Sequence, residues 1–206
     1  MFRPAGIQQL SNRELLALLV GKSAANRLHT GLLTTLFNED VESCKHKRKL
    51  HAAREIVKRL LEESLAERPV LASANAIRDF LRLHFLGQEY ESFVVLFLDS
   101  RNCLIAVEDL FRGTLDQTAV FPREVVKRAL HWNAAASIFA HNHPNGSLSP
   151  TDMDRHLTNV LKSALQTVGV RVLDHLVVGS GGCASFSELG YLEPDSYSSD
   201  WGICSG

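Results

Sequence analysis

The stretch His141-Asn142-His143-Pro144-Asn145-Gly146-Ser147-Leu148-Ser149-Pro150-Thr151-Asp152 decides how the rest of the chain reads. It follows Ala134 to Ala140, a short apolar run with the composition of a buried strand. Two histidines two residues apart in an extended segment project to the same side, because side chains alternate along a strand. Imidazole nitrogens suit a borderline ion such as Zn2+, bound at ~2.0–2.1 Å. Pro-Asn-Gly then turns the chain. Ser149 has the chemistry of a helix N-cap, and Pro150 fits the first helical position. A helix begun there carries Asp152 on its first turn and returns a carboxylate toward the two imidazoles. The expectation is a zinc site with His141, His143 and Asp152 as ligands. Three protein ligands leave the fourth tetrahedral position to water, the pattern of a catalytic rather than a structural zinc. An isolated H-x-H pair is weak, and Asp152 alone would serve a helix dipole equally well. The conjunction, in a strand–turn–helix context, carries the reading.

Outward from this segment, Thr151 to Val168 reads as a helix. Val170 to Val178 reads as a strand interrupted by Asp174-His175. That polar pair either orients a metal ligand from behind or is simply satisfied at a strand kink. Cys183 to Phe186 has the look of a last edge strand. Upstream, Ser92 to Leu98 is nearly continuous in apolar residues, as a strand buried on both faces would be. Cys103 to Leu110 returns as a second strand, and Pro122 opens a helix running to Trp132. Ser73 to Leu86 is an amphipathic helix, and Pro69 marks a boundary before it. The first third is helical. Ser11 three residues before Glu14 forms a capping box ahead of the apolar run Leu15 to Val20, with Gly21 as its stop. Further helices are expected over Thr30 to Phe37 and Lys49 to Glu67. The fold class is α/β (α+β): a helical region over 1–68, a layered zinc domain over 69–194, and a flexible tail over 195–206.

Composition narrows the function classes. The 206 residues carry 22 Lys+Arg against 23 Asp+Glu, so no global charge attracts nucleic acid or membrane. The one basic cluster is Cys44-Lys45-His46-Lys47-Arg48-Lys49, either a solvated helix start or a phosphate-contacting patch. Cys44, Cys103, Cys183 and Cys204 are far apart and form no C-x-x-C pair, which speaks for reduced thiols. The longest apolar runs are too short to span a bilayer, and no basic-then-apolar leader pattern opens the chain. A cytoplasmic protein without a membrane partner is expected.

His-x-His-Pro followed by a short loop and Ser-x-x-Asp resembles the signature of the JAB/MPN/JAMM metalloprotease family. The surrounding text is similar to its RadC-like branch: Phe97-Leu98-Asp99, Leu110 to Leu115, Pro122 to Leu130, Asn133 to Ala136, and Asp174-His175. The likeness covers about residues 70 to 192. It implies a mixed central sheet flanked by helices, similar to cytidine deaminases; a deaminase itself is disfavoured because H-x-E and P-C-x-x-C are both missing. It implies Zn2+ as cofactor and a peptide or protein substrate. It also implies a carboxylate, upstream of the histidines and before the first core strand, that activates the metal-bound water. Glu91 holds the matching place, with Glu89 and Glu108 as alternatives. By the same resemblance Ser149 would hydrogen-bond the developing oxyanion. The N-terminal Leu10 to Leu19 is similar to the helical region of RadC-like proteins, but the Gly-Ile-Gly hairpin of that region is replaced here by Glu42 to Lys49. The leading expectation is therefore a zinc-dependent metallopeptidase or amide hydrolase. The alternative is a DNA-associated accessory protein for repair or recombination, contacting phosphates through Lys45, Lys47, Arg48 and Lys49, with a structural zinc domain.

Overall fold

The computed structural model describes residues 10–28, 45–113 and 120–192. The helix expected over Thr30 to Phe37 and the tail over 195–206 lie outside the described residues. Helix α1 (Asn12–Val20) starts as expected: Ser11 accepts from the Glu14 amide, and the Glu14 carboxylate returns to the Ser11 amide at 2.8 Å. After α2 (Lys22–Leu28), the long α3 (Lys45–Glu67) takes the basic cluster into its first turns, where the sequence suggested a start at Lys49. Leu16, Val20, Ala24, Ala25 and Leu50 join these three helices in a small core of their own. Pro69 then precedes a single 3-10 turn, Val70–Ser73, and α4 (Ala74–His84).

The rest is a mixed five-stranded sheet between helices, the architecture the sequence implied. Its strands are β1 (Glu91–Leu98), β2 (Leu104–Gly113), β3 (Ala136–Asn142), β4 (Arg171–Gly179) and β5 (Gly182–Ser185), in spatial order β2-β1-β3-β4-β5. Only β3 and β4 run parallel, and α6 (Asp152–Gln166) makes the crossover between them. β1 is buried along nearly its whole length because it lies between β2 and β3 and both of its faces are covered. Its even residues, Val94, Leu96 and Leu98, pack with Phe80 and Leu81 of α4. Its odd residues, Phe93, Val95 and Phe97, pack with α5 (Pro122–His131) and α6 through Val125, Ala129, Leu161 and Leu165. Burying a side chain of this size stabilises by roughly 1.5–3 kcal/mol. The sheet therefore forms a rigid platform for whatever its strand ends carry.

β4 is one continuous strand, not an interrupted one. Ser137 pairs with Val172 but Ile138 pairs with Asp174, so Leu173 is an extra residue in a β-bulge. The bulge reverses the alternation. Val172 and His175, three residues apart, both face the α5/α6 side, and Asp174 faces away.

Candidate metal centre

β3 ends in the sequence Ala140-His141-Asn142, and its register against β1 places His141 opposite Phe93 on the α6 side. His143 lies just past the strand, held extended by its amide donating to the Val178 carbonyl at 2.9 Å. The chain then turns, with the Gly146 amide reaching back to the His143 carbonyl at 2.9 Å. Gly146 has φ +82°, a conformation that favours glycine. The turn rests on the start of the β4–β5 connection. A Cβ at Gly179 would stand 2.5 Å from the Gly146 carbonyl oxygen and 2.6 Å from that of Ser147, so only glycine permits this approach.

The carboxylate that meets the two imidazoles belongs to Asp154, not to Asp152. His141 Nε2 and His143 Nε2 are 3.0 Å apart. Asp154 Oδ1 lies 3.4 Å from His141 Nε2, and Asp154 Oδ2 lies 3.7 Å from His143 Nε2. All three residues are buried, with Asp154 only 1% exposed. Asp152 is exposed and paired with Arg155 on the outer side of α6. The displacement has a physical reason. Ser149-x-x-Asp152 and Thr151-x-x-Asp154 are two copies of one capping pattern, and the helix starts in the second. Thr151 Oγ1 accepts from the Asp154 amide at 3.2 Å, and Asp154 Oδ2 accepts from the Thr151 amide and hydroxyl at 2.7 Å each. Ser149 is accordingly an exposed loop residue whose amide donates to Ser147 Oγ, and it caps nothing. The sequence held a signal for the right choice. Asp154, Thr158, Leu161 and Leu165 form the buried stripe of α6. At about 100° per residue, Asp154 falls within about 20° of Leu161 around the helix and Asp152 about 180° away.

The donor set fits a metal ion. Bonds of ~2.0–2.1 Å to a tetrahedral ion separate the ligand atoms by about 3.3–3.4 Å, and the three separations above bracket that value. Asp154 Oδ1 is buried without a hydrogen-bond partner in the protein, a costly arrangement unless a cation or proton answers it. His141, His143 and Asp154 are also the group of potential ligand atoms that converges within 4.8 Å among the described residues. The electrostatics agree. Burial pushes the Asp154 carboxyl upward, but its contacts with His141 and His143 outweigh burial and hold it far below the usual carboxylate range. The Asp154 contact raises His143 against its own burial, and the negative charge of Glu91 adds to the rise.

Glu91 is the first residue of β1 and is half-buried. Phe93 pairs with His141, so continuing the antiparallel register by two residues sets Glu91 beside His143. The charge of Glu91 acts on His143 across that gap. Glu108 is engaged elsewhere: its carboxylate takes the Arg128 guanidinium and the Trp132 indole N–H at 2.7 Å. Glu89 is exposed and lines a cleft of about 910 Å³ that opens beside His143. This cleft runs between the C-terminal end of α4 with the residues following it and the Pro144–Gly146 turn.

Sequence reasoning passed over Asn142, between the two histidines. Its side chain faces the α4 side, where Oδ1 accepts from the Ser92 amide at 2.8 Å and Nδ2 donates to the Tyr90 carbonyl at 2.9 Å. These bonds grip the chain on both sides of Glu91. A buried Asn in an apolar strand was the available signal, since such a side chain must find partners. Asp174 and His175, read together in the sequence, point to opposite sides. Asp174 binds the His175 and Ser187 amides and the Ser185 hydroxyl. The His175 ring instead reaches His141, its Nε2 lying 2.8 Å from His141 Nδ1.

Comparison with known proteins places this geometry in a family. Residues 71–191 match the RadC-like JAB domain. The chain is 47% identical over 205 residues to a UPF0758 protein of Nitrosospira multiformis, covering 91% of this chain and 92% of that protein. It is 46% identical over 206 residues to a UPF0758 protein of Polaromonas, with the same coverage. With a UPF0758 protein of Leptothrix cholodnii it shares 54% identity over 143 residues, 69% of this chain and 64% of the other. The matched span holds the sheet, both histidines, Asp154 and Glu91, and the chain belongs to the RadC-like JAB domain family.

Proposed function

We propose that this chain is a zinc-dependent amide hydrolase of the JAMM type, with His141, His143 and Asp154 as its metal ligands and Glu91 as its general base. The observation that carries the reading is the buried convergence of two imidazoles and one carboxylate, with Asp154 Oδ1 unanswered by any protein donor. When bound, the ion supplies Lewis acidity toward a carbonyl oxygen and lowers the pKa of a water toward ~7. The chain's own groups do the rest. Thr151 holds Oδ2 of Asp154, the oxygen on the His143 side, and leaves Oδ1 toward His141. Glu91, fixed between the two backbone bonds of Asn142, takes the proton of the attacking water and returns it to the leaving amine. Ser149, an exposed loop residue free of capping duty, is assigned in this reading to donate a hydrogen bond to the developing oxyanion. The cleft beside His143 is large enough for several residues of an extended polypeptide and is the substrate's approach.

The test is metal content and turnover on one set of proteins prepared without chelator. About one zinc per chain is expected in the parent and in Glu91→Gln, with cleavage of a broad peptide library only in the parent. A parent protein without zinc would sink the reading. A second reading, a DNA-associated protein, is favoured by the first turns of α3, which carry Lys45, Lys47, Arg48 and Lys49 with no acidic residue in the first turn to answer the helix dipole. It requires salt-sensitive DNA binding that weakens when these four are neutralised.

A further inference from the structure

We propose that Thr158 and His175 form a positioning relay that fixes His141 as the Nδ1–H tautomer and so leaves its Nε2 lone pair facing His143 and Asp154. The inference deepens the metal-centre reading and rests on it for its consequence, but the relay itself follows from three short contacts. Thr158, one turn after Asp154 on α6, has Oγ1 2.6 Å from the Asp154 carbonyl oxygen and 2.7 Å from His175 Nδ1. His175 Nε2 lies 2.8 Å from His141 Nδ1.

Each contact needs one hydrogen, because two lone pairs at these separations repel. The Asp154 carbonyl has none to give, so the single hydroxyl hydrogen of Thr158 lies on that side. Thr158 Oγ1 then accepts at His175, and the ring supplies the hydrogen from Nδ1. A neutral His175 with Nδ1–H has a bare Nε2, so the third hydrogen comes from His141 Nδ1. His141 Nε2 is left bare, the form a metal ion requires.

The surroundings keep His175 neutral. It is completely buried, stacked on Phe186 at 4.6 Å between ring centroids and met by the rings of Phe93 and Phe139 at 5.6 and 5.9 Å. Metal-bound imidazoles commonly donate their second nitrogen to a carboxylate or carbonyl, which hold no ambiguity of their own. Here the acceptor is another histidine, whose tautomer must itself be set, and Thr158 sets it. Asp154 thereby acts twice: its carboxylate faces the imidazoles, and its backbone carbonyl orients the hydroxyl that orients them.

The test uses the full chain, 15N-labelled, stripped of zinc and then titrated with zinc against a competing chelator. Long-range 1H–15N correlations report which nitrogen of His141 carries hydrogen. The parent and Thr158→Ser are expected to show Nδ1–H at His141. Thr158→Val, which keeps the shape and removes both hydrogen-bond roles, is expected to lose that preference and to bind zinc about 10–100-fold more weakly. His141 as Nε2–H in the parent overturns the relay, and this reading needs no variant to fold. Unchanged tautomer and zinc affinity in folded Thr158→Val overturns it as well. A parent with Nδ1–H at His141 that binds no zinc keeps the relay and removes the metal-centre reading instead.

Discussion

Each face of the sheet buries a histidine against an aspartate, and the two contacts do different work. On the α4 face, His84 Nε2 meets Asp109 Oδ1 at 3.0 Å, and Ser92 Oγ donates to the same oxygen at 3.2 Å. One imidazole, one carboxylate and one hydroxyl close on each other and tie α4 to β2. On the α6 face, His141 and His143 both turn toward Asp154, and one of its oxygens finds no protein donor. In the first arrangement the carboxylate is answered by protein donors, although His84 Nδ1 is left without a partner; in the second a carboxylate oxygen itself is left unanswered. A buried histidine–carboxylate pair is therefore no sign of chemistry by itself. The sign is a surplus of acceptors converging on one point.

The comparison breaks most easily at the ligands. Asp154→Asn or His141→Ala is expected to abolish zinc retention, a loss of two or more orders of magnitude in affinity. His84→Asn and Asp152→Asn should leave zinc stoichiometry unchanged, as measured by elemental analysis of dialysed protein. A His84→Asn protein that folds yet loses its metal would show that the two faces are not independent. Next in size, Asn142→Ala removes the partners of the Ser92 amide and Tyr90 carbonyl. A loss of about 1–3 kcal/mol is expected in chemical denaturation, with turnover falling further than zinc affinity because Glu91 is loosened.

A smaller effect separates the two capping patterns. Thr151→Ala should lower stability by about 1 kcal/mol, while Ser149→Ala should leave stability unmoved and report on turnover alone. The smallest effect concerns pH on the α4 face. Burial raises the Asp109 carboxyl, but the hydrogen bond and charge of His84, then Ser92 and Arg112, more than offset it, so its folded pKa lies below 3.8. A depressed carboxylate stabilises above its unfolded value and loses that contribution as pH falls through the folded one. Stability of the parent should thus drop more steeply below pH 3.8 than that of Asp109→Asn, a difference readable in thermal unfolding across acid buffers.

Most of the sheet was legible because its strands are short, apolar and bounded by turn residues, as Ser92 to Leu98 and Ala134 to Ala140 both are. The strand holding His175 was harder. A bulge at Leu173 inverts the alternation, and no local composition announces an extra residue. The two histidines of the candidate metal centre were legible from their spacing within a strand–turn–helix context. The carboxylate that joins them was misplaced by two residues because Ser149 and Thr151 both have the chemistry of a cap, and local pattern favours the wrong one. The burial stripe of α6 chooses, but it is a property of the whole helix. Asn142 and Thr158 escaped notice for a different reason: their partners lie 50 residues and 17 residues away, and only the folded sheet brings those groups together.

The contact at Gly179 has a mechanical consequence. The carbonyls of Gly146 and Ser147 sit directly on that residue, and Gly146, Gly179 and Ser180 also form part of the cleft wall beside His143. A guest that spreads the cleft must lift the same turn that carries His143. Spreading of the groove and alignment of the imidazole would thus be geared to one another through a single turn.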